Sequence, residues 1–148
     1  MIKIKFFFVK LILATLFFGL TMLQVFSFPG QFRNMRRTQD IDIVFEIALT
    51  LLFGLWLLCG QIALICLWRI VGFMKYSNFF SVPTLKWLNR LVLAFWIACA
   101  IPVILFTLIA PQADDPGFLV LLFVVTLFIF SLTAITSLLR DQIKGKVK

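Results

Sequence analysis

Four long apolar runs alternate with short polar segments along the chain. They extend from about residue 6 to 28, 43 to 68, 88 to 110 and 118 to 139. Each run is apolar nearly all round, which is typical of a helix in contact with lipid. About 20 apolar residues in a helix cross the hydrocarbon core of a bilayer, so each run is long enough to span it. The pattern predicts an all-α membrane protein, a bundle of four transmembrane helices forming a single domain over residues 1–148.

Composition excludes a soluble domain. Hydrophobic residues make up 63% of the chain and charged residues 14%, against about 45–50% and about 25% in soluble globular domains. A chain this short could not bury so much apolar surface in a water-soluble fold without exposing large apolar patches. A transmembrane β-barrel would need many short segments of alternating polarity. The four runs are therefore expected to be helices.

The basic residues predict the orientation, because cytoplasmic loops carry an excess of lysine and arginine. With both termini inside, 11 of the 14 basic residues lie on the cytoplasmic side and three on the outer side. The sequence therefore predicts an N-in/C-in topology. The net charge of +8 is then a signal of membrane orientation that favours anionic lipids at the inner face. Direct binding of nucleic acid is not expected.

The first span has a second interpretation as a signal peptide. It has a basic start, an apolar run and a permissive cleavage pattern at Val25-Phe26-Ser27. The run is long for that role, and Phe28-Pro29 would be a poor start for a mature chain. We expect the span to be retained, and cleavage stays open as the alternative.

The first outer loop, about residues 29–41, carries arginines first and acidic residues after them. Asp40 or Asp42 is predicted to cap the second helix, with Glu46 in its first turn. The arginines are expected to contact lipid phosphates or, alternatively, to form a site for an extracellular anion or peptide. That candidate site consists of Arg33, Arg36 and Arg37.

The inner loop, about residues 71–86, mixes basic and aromatic residues, as membrane interfaces do. Ser81 or Thr84 is predicted to cap a helix that leads into the third span, with Pro83 in its first turn. The loop is either an aromatic belt anchored by Trp68 and Trp87 or a docking surface for a cytoplasmic partner. The candidate partner-binding residues are Phe79, Phe80, Lys86 and Trp87.

Polar side chains within the spans are few. Gln24 and Gln61 are the intramembrane candidates, and Gln61 is expected to hold the bundle together by bonding hydroxyls of the fourth helix. Pro102 leaves the carbonyl of Ala98 without its helical partner and is expected to kink the third helix. Small residues four apart occur in every span and predict close helix contacts. These pairs are Thr15/Gly19, Cys59/Ala63, Ala94/Ala98 and Thr133/Ser137.

Candidate chemistry is scarce. The chain has no histidine, which removes the commonest general base and metal ligand. Cys59, Cys66 and Cys99 lie within spans and are interpreted as small packing residues. Paired carboxylates, a phosphate-binding glycine loop and a nucleophile motif are missing from the sequence. The sequence therefore predicts a non-enzymatic protein, with no catalytic residue, no cofactor and no metal.

A further pattern extends from the end of the second span to the C-terminal end. It comprises Leu67-Trp68-Arg69-Ile70, Phe80-Ser81, Leu85-Lys86-Trp87-Leu88, a compact outer turn and a basic tail. In this pattern the chain resembles a bacterial family of small four-helix membrane proteins known only as a domain of unknown function. Members are often encoded beside a helix-turn-helix regulator of the Cro/CI type. The resemblance implies a protein of the bacterial cytoplasmic membrane with a DNA-binding regulator as a candidate partner.

The leading hypothesis is a regulatory or adaptor protein that binds a cytoplasmic or membrane partner through the inner loop and the basic tail. One alternative is bacteriocin immunity or transport of a small solute or peptide, through the outer arginines or the Gln61 region. Another is an accessory subunit of a larger membrane complex. The sequence leaves the oligomeric state open, a homo-oligomer included.

Overall fold

The computed structural model describes residues 2–39, 42–75, 79–112 and 116–147, and these are almost entirely helical. The elements are α1 (Ile2–Met22), a π-helical turn (Leu23–Ser27), α2 (Phe28–Gln39), α3 (Ile43–Lys75), α4 (Val82–Ile109), a 3₁₀ turn (Ala110–Gln112) and α5 (Pro116–Lys146). Four of the described helices are long and apolar enough to cross a membrane. The prediction of an all-helical chain with four candidate spans is confirmed.

The first outer loop was predicted wrongly. The helix that begins with α1 continues through the π-helical turn into α2, so most of residues 29–41 are helical. Pro29 has no N–H to donate to the carbonyl of Val25, and the wider π turn lies at this break in the α-helical ladder. The apolar run ends here, but the helix does not. Asp40, one of the two predicted caps, lies outside the described residues.

The other helices also extend beyond their apolar runs. α3 continues to Lys75, α4 already begins at Val82, and α5 continues to Lys146. Hydropathy identifies only the apolar part of a helix. Backbone hydrogen bonds continue the helix into the polar residues on either side. The predicted inner loop is therefore mostly helix, and the connection between α3 and α4 is short.

The helices pack in chain order. α3 packs on α4, α4 packs on α5, and both α1 and α2 pack on α3. α4 is the most buried of the candidate spans and α1 is the least buried. The core therefore lies between α3, α4 and α5, and α1 is attached to the outside of α3.

Two clusters of buried side chains form this core. We name the end of the molecule that contains the α3–α4 connection the inner end, after the predicted orientation, and the opposite end the outer end. The outer cluster comprises Leu49, Phe53, Cys59, Ala98, Ile101, Leu105, Ile109 and Leu122. The inner cluster comprises Ala63, Cys66, Ile70, Leu88, Leu91 and Ile143.

Small residues line the helix contacts in three of the four predicted pairs. Cys59, Ala63, Ala94, Ala98 and Thr133 are all buried. The pair in the first span was predicted wrongly, because Thr15 and Gly19 are exposed. The small residue that faces α1 is instead Gly60 of α3, where a Cβ atom would lie 3.3 Å from Cδ1 of Leu20, a tight contact.

The cysteines are buried and free, in agreement with their interpretation as packing residues. Sγ of Cys99 lies 3.6 Å from Oγ1 of Thr133, at the contact between α4 and α5. Thr133 also donates its hydroxyl to the carbonyl of Ile129. The hydroxyl of Thr133 therefore already has a hydrogen bond within α5, and the thiol of Cys99 packs against it.

Candidate functional site

Both intramembrane glutamines bond α1 and its π-helical extension to α3. Nε2 of Gln61 donates to Oγ1 of Thr21 at 3.0 Å, and Nε2 of Gln24 donates to the carbonyl of Gly54 at 3.2 Å. The role of Gln61 between helices is as predicted, but the predicted partner helix was wrong. Four of the five hydroxyls of α5 donate to backbone carbonyls of their own helix, as Thr126 does to Leu122. Gln61 therefore holds the least buried helix to the core.

The carbonyl that Pro102 leaves free has a partner in another helix. Nε1 of Trp56, on α3, donates to the carbonyl of Ala98, on α4, at 3.0 Å. Pro102 lies one turn further along α4 and is fully buried. Unsatisfied backbone groups are costly in an apolar environment, so this bond compensates for the break in α4.

One of the three outer arginines is engaged in an ion pair. Nε of Arg36 lies 2.6 Å from Oε2 of Glu46, and their side chains are 38% and 15% exposed. Both atoms are buried and have no further hydrogen-bond partner among the described residues. Arg33 and Arg37 are exposed. Arg36 therefore fastens α2 to the first turn of α3, and an anion site here would have only two exposed arginines.

Replacing Glu46 with glutamine is expected to lower the free energy of unfolding by about 1 kcal/mol. This is less than the 3–5 kcal/mol typical of a broken buried pair, because Arg36 remains partly exposed and can turn to water. Unfolding in mixed micelles titrated with dodecyl sulfate measures the change. Asp42→Asn, which alters an exposed acidic residue four positions earlier, is the matched control. Equal losses in the two variants would contradict a specific pair.

Cations and aromatic rings from three helices meet at the inner end. The guanidinium carbons of Arg69 and Arg90 lie 5.5 Å and 4.8 Å from the ring centroid of Trp87. Nζ of Lys146 lies 4.9 Å from the ring centroid of Phe80. We call these five residues together with Phe79 and Lys86 the inner face. The structure thus joins segments that are far apart in the sequence into one basic and aromatic surface.

The four predicted partner-binding residues differ in exposure. Phe80 is 55% exposed, and Lys86 is also exposed. Phe79 and Trp87 are half-buried and pack against the inner cluster. The accessible part of the predicted set is therefore Phe80 and Lys86, whereas Trp87 is chiefly a platform for the two arginines.

Local sequence explains how Phe79 and Phe80 are placed. Ser81 has extended backbone (φ −126°, ψ 156°) and takes the N-cap position of α4. Its carbonyl accepts the N–H of Leu85 at 3.1 Å, and Pro83 lies in the first turn, as predicted. The two phenylalanines directly precede this cap, with their ring centroids 5.4 Å apart in an edge-to-face arrangement.

The C-terminal segment lies on the same surface as the α3–α4 connection. The leading hypothesis joined the basic tail to the inner loop, but the buried contact that holds the tail there was not predicted. Ile143 is only 2% exposed and lies in the inner cluster. It is the one apolar residue in a run of polar residues from 140 to 146, and that was the signal available in the sequence. Burial of Ile143 fixes the end of α5 and thereby places Lys146 over Phe80.

The inner face is positively charged, since four of its seven residues are lysine or arginine. Asp141, the described acidic residue at this end, lies 2.9 Å from Arg140 of the same helix. Arg140 is not part of the inner face, and neither ion pair of the described residues involves a cation of the inner face. Within the described ranges no cluster of residues is suited to holding a metal ion. The arrangement can bind an acidic or phosphorylated surface, with aromatic rings as apolar contacts.

Comparison with known proteins agrees with the resemblance noted in the sequence. No curated protein and no solved structure matches the chain. The model of the family described as "Protein of unknown function (DUF2975)" matches residues 7–142, which cover the second and third candidate spans and most of the first and fourth. The chain therefore belongs to the DUF2975 family of proteins of unknown function.

Proposed function

We propose that this chain is a non-enzymatic integral membrane protein that binds a cytoplasmic partner through its inner face and acts as a regulatory or adaptor protein. The proposal rests on one observation. The α3–α4 connection and the end of α5 are held together by buried Ile143 and by the contact of Lys146 with the ring of Phe80. A surface assembled from distant segments and held by a buried residue suits a specific docking site.

The partner is expected to present an acidic surface, since lysines and arginines dominate the inner face. The resemblance to a family whose members are often encoded beside a helix-turn-helix regulator favours a DNA-binding regulator in this role. Binding would hold such a regulator at the membrane and away from its operator. The location we propose is the bacterial cytoplasmic membrane.

The proposal includes the N-in/C-in orientation. Lys10, Lys75, Lys86 and Lys144 all lie towards the inner end, as the contact of Lys10 with Trp68 illustrates. The bond of Gln61 to Thr21 supports retention of the first helix, because cleavage after it would leave Gln61 without this partner. Both features are consistent with four spans and cytoplasmic termini.

Cysteine labelling tests the orientation. In a background with Cys59, Cys66 and Cys99 replaced by alanine, a cysteine is introduced by Asp42→Cys or by Lys144→Cys. A membrane-impermeant maleimide is expected to label position 42 in intact cells and position 144 only after permeabilisation. The reverse pattern would contradict the orientation, and with it the cytoplasmic docking surface.

A double variant tests the docking surface. Phe80→Ala with Lys86→Ala is expected to lower capture of the partner about five-fold, the effect of about 1 kcal/mol at an interface. Both side chains are exposed, so the fold should be unaffected. Leu93→Ala with Arg37→Ala is the control, since it removes one exposed apolar residue and one exposed cation away from the inner end. Equal capture by the two variants would count against the proposed site.

A transport or immunity function gains no support from the polar groups that suggested it. Gln61 bonds Thr21, and Arg36 pairs with Glu46. Both interactions hold helices together. These alternatives and an accessory-subunit role remain hypotheses.

A further inference from the structure

A groove runs between α1 and α3 towards the inner end. Its volume is about 580 Å³, within the range of about 300–1,000 Å³ typical of small-ligand sites. The groove is open along one side, towards the region that lipid would occupy. Its walls are formed by Leu13, Ala14, Phe17, Leu64, Ile65, Trp68 and Arg69.

The groove opens where the two helices lose their close contact. Gly60 faces Leu20, and Gln61 bonds Thr21, so α1 and α3 are held together at this level. One to two turns nearer the inner end, the large rings of Phe17 and Trp68 line the space between the helices. The groove is thus a consequence of side-chain size along the two helices.

Two cations mark the inner end of the groove. Nζ of Lys10 lies 5.0 Å from the ring centroid of Trp68, and Arg69 is itself part of the wall. Among the described residues, two carboxylates form ion pairs, and neither pair involves a cation of the groove. Glu46 pairs with Arg36, and Asp141 pairs with Arg140. Neither Lys10 nor Arg69 is neutralised by a described carboxylate.

We propose that this groove binds one anionic phospholipid of the inner leaflet, with an acyl chain along the apolar walls and the phosphate against Lys10 and Arg69. An apolar channel that ends in two cations matches the two parts of such a lipid, and basic pockets between transmembrane helices on the cytoplasmic side bind anionic head groups. A second copy fits less well, because the described carboxylate near its inner end, Asp141, is already paired with Arg140 of the same helix. The inference depends on the proposed orientation but not on the cytoplasmic partner.

Native mass spectrometry of the purified full chain tests this assignment. The probes are phosphatidylglycerol and phosphatidylcholine with identical acyl chains. Phosphatidylglycerol is expected to be retained preferentially. Lys10→Gln is expected to lower its affinity about five-fold and Lys10→Gln with Arg69→Gln about 25-fold, from about 1 kcal/mol for each cation. Arg69 also contacts Trp87, so replacing Arg69 changes packing as well as charge. Lys10→Gln leaves the contact of Arg69 with Trp87 in place, and its effect on lipid affinity does not depend on that packing.

Two further variants make the test specific. Lys86→Gln with Lys144→Gln removes the same charge from the inner end outside the groove and is expected to leave the affinity unchanged. Ala14→Phe fills the groove from an exposed position and is expected to abolish retention of the lipid without removing charge. Equal retention of both lipids, or equal loss in the charge control, would overturn the assignment. So would a cysteine at position 14 that crosslinks to a second protein chain. Because no partner protein is present, failure here is distinct from failure of the docking surface.

Discussion

Replacing Trp56 with phenylalanine is expected to destabilise the contact between α3 and α4 by about 1.7 kcal/mol, the upper end of values measured for hydrogen bonds between transmembrane helices. The substitution keeps the ring in place against Phe53, whose centroid lies 6.0 Å away, and removes the indole N–H. The carbonyl of Ala98 then has no donor from its own helix, because Pro102 cannot supply one. An ordinary interhelical bond would cost less to remove, since its acceptor is already paired within a helix.

A double-mutant cycle with Pro102 isolates this effect. In Pro102→Ala the new N–H of residue 102 can donate to the carbonyl of Ala98, so the cost of Trp56→Phe should fall to about 0.6 kcal/mol, the average for such bonds. Unfolding in micelles titrated with dodecyl sulfate and followed by circular dichroism gives each free energy. Trp96→Phe, at a position that is 53% exposed, is the matched control and should cost little. Equal costs of Trp56→Phe in both backgrounds would refute the role assigned to the indole.

Truncating Leu105 to alanine is expected to lower the free energy of unfolding by about 2–4 kcal/mol, as for buried leucines in other cores. Leu105 is fully buried within the outer cluster, to which α3, α4 and α5 all contribute. Association of helices in lipid depends on van der Waals packing, and a cavity in the protein interior removes these contacts without replacement.

Leu108, three residues further along α4 and 37% exposed, provides the control. A lipid or detergent chain can fill the space left by Leu108→Ala, so this variant should lose less than about 1 kcal/mol. The same micelle titration measures both. If the two variants lost equal stability, the position of the core between α3, α4 and α5 would be wrong.

The spans were predictable because their signal is local. An apolar run of sufficient length predicts a membrane helix without knowledge of any other segment. The broken hydrogen bond at Ala98 was predictable for the same reason, since Pro102 alone determines it. The donor, Trp56, was not predictable, because it depends on the register between α3 and α4.

The extent of the helices was harder to predict. The continuation from α1 into α2 lies where Pro29 and a polar composition both indicate a loop, and a π-helical turn directly precedes this segment of the continuous helix. The end of α5 is similar. A single apolar residue, Ile143, distinguishes a docked helix from a solvated tail, and hydropathy averaged over a window hides it.

The inner face was predicted in part. Composition of the inner loop directed attention to Phe79, Phe80, Lys86 and Trp87. It could not show that Trp87 lies under Arg69 and Arg90, because these residues come from two helices. Composition also could not show that Phe80 is exposed and Phe79 half-buried. The two residues are of the same type, and their exposure depends on the path of the chain into α4. The exposure of a side chain decides whether it can contact a partner, and exposure could be determined only from the fold.

In-cell photocrosslinking from position 80 identifies what contacts the inner face. A photoreactive residue replaces Phe80 in the full chain, and the captured molecules are identified by mass spectrometry. Val44, which is 67% exposed at the outer end, is the comparison site. The account predicts one soluble cytoplasmic protein captured from position 80, absent from position 44 and diminished by Lys86→Ala. Lipid alone at position 80, or the same proteins from both positions, would contradict a docking surface at the inner face.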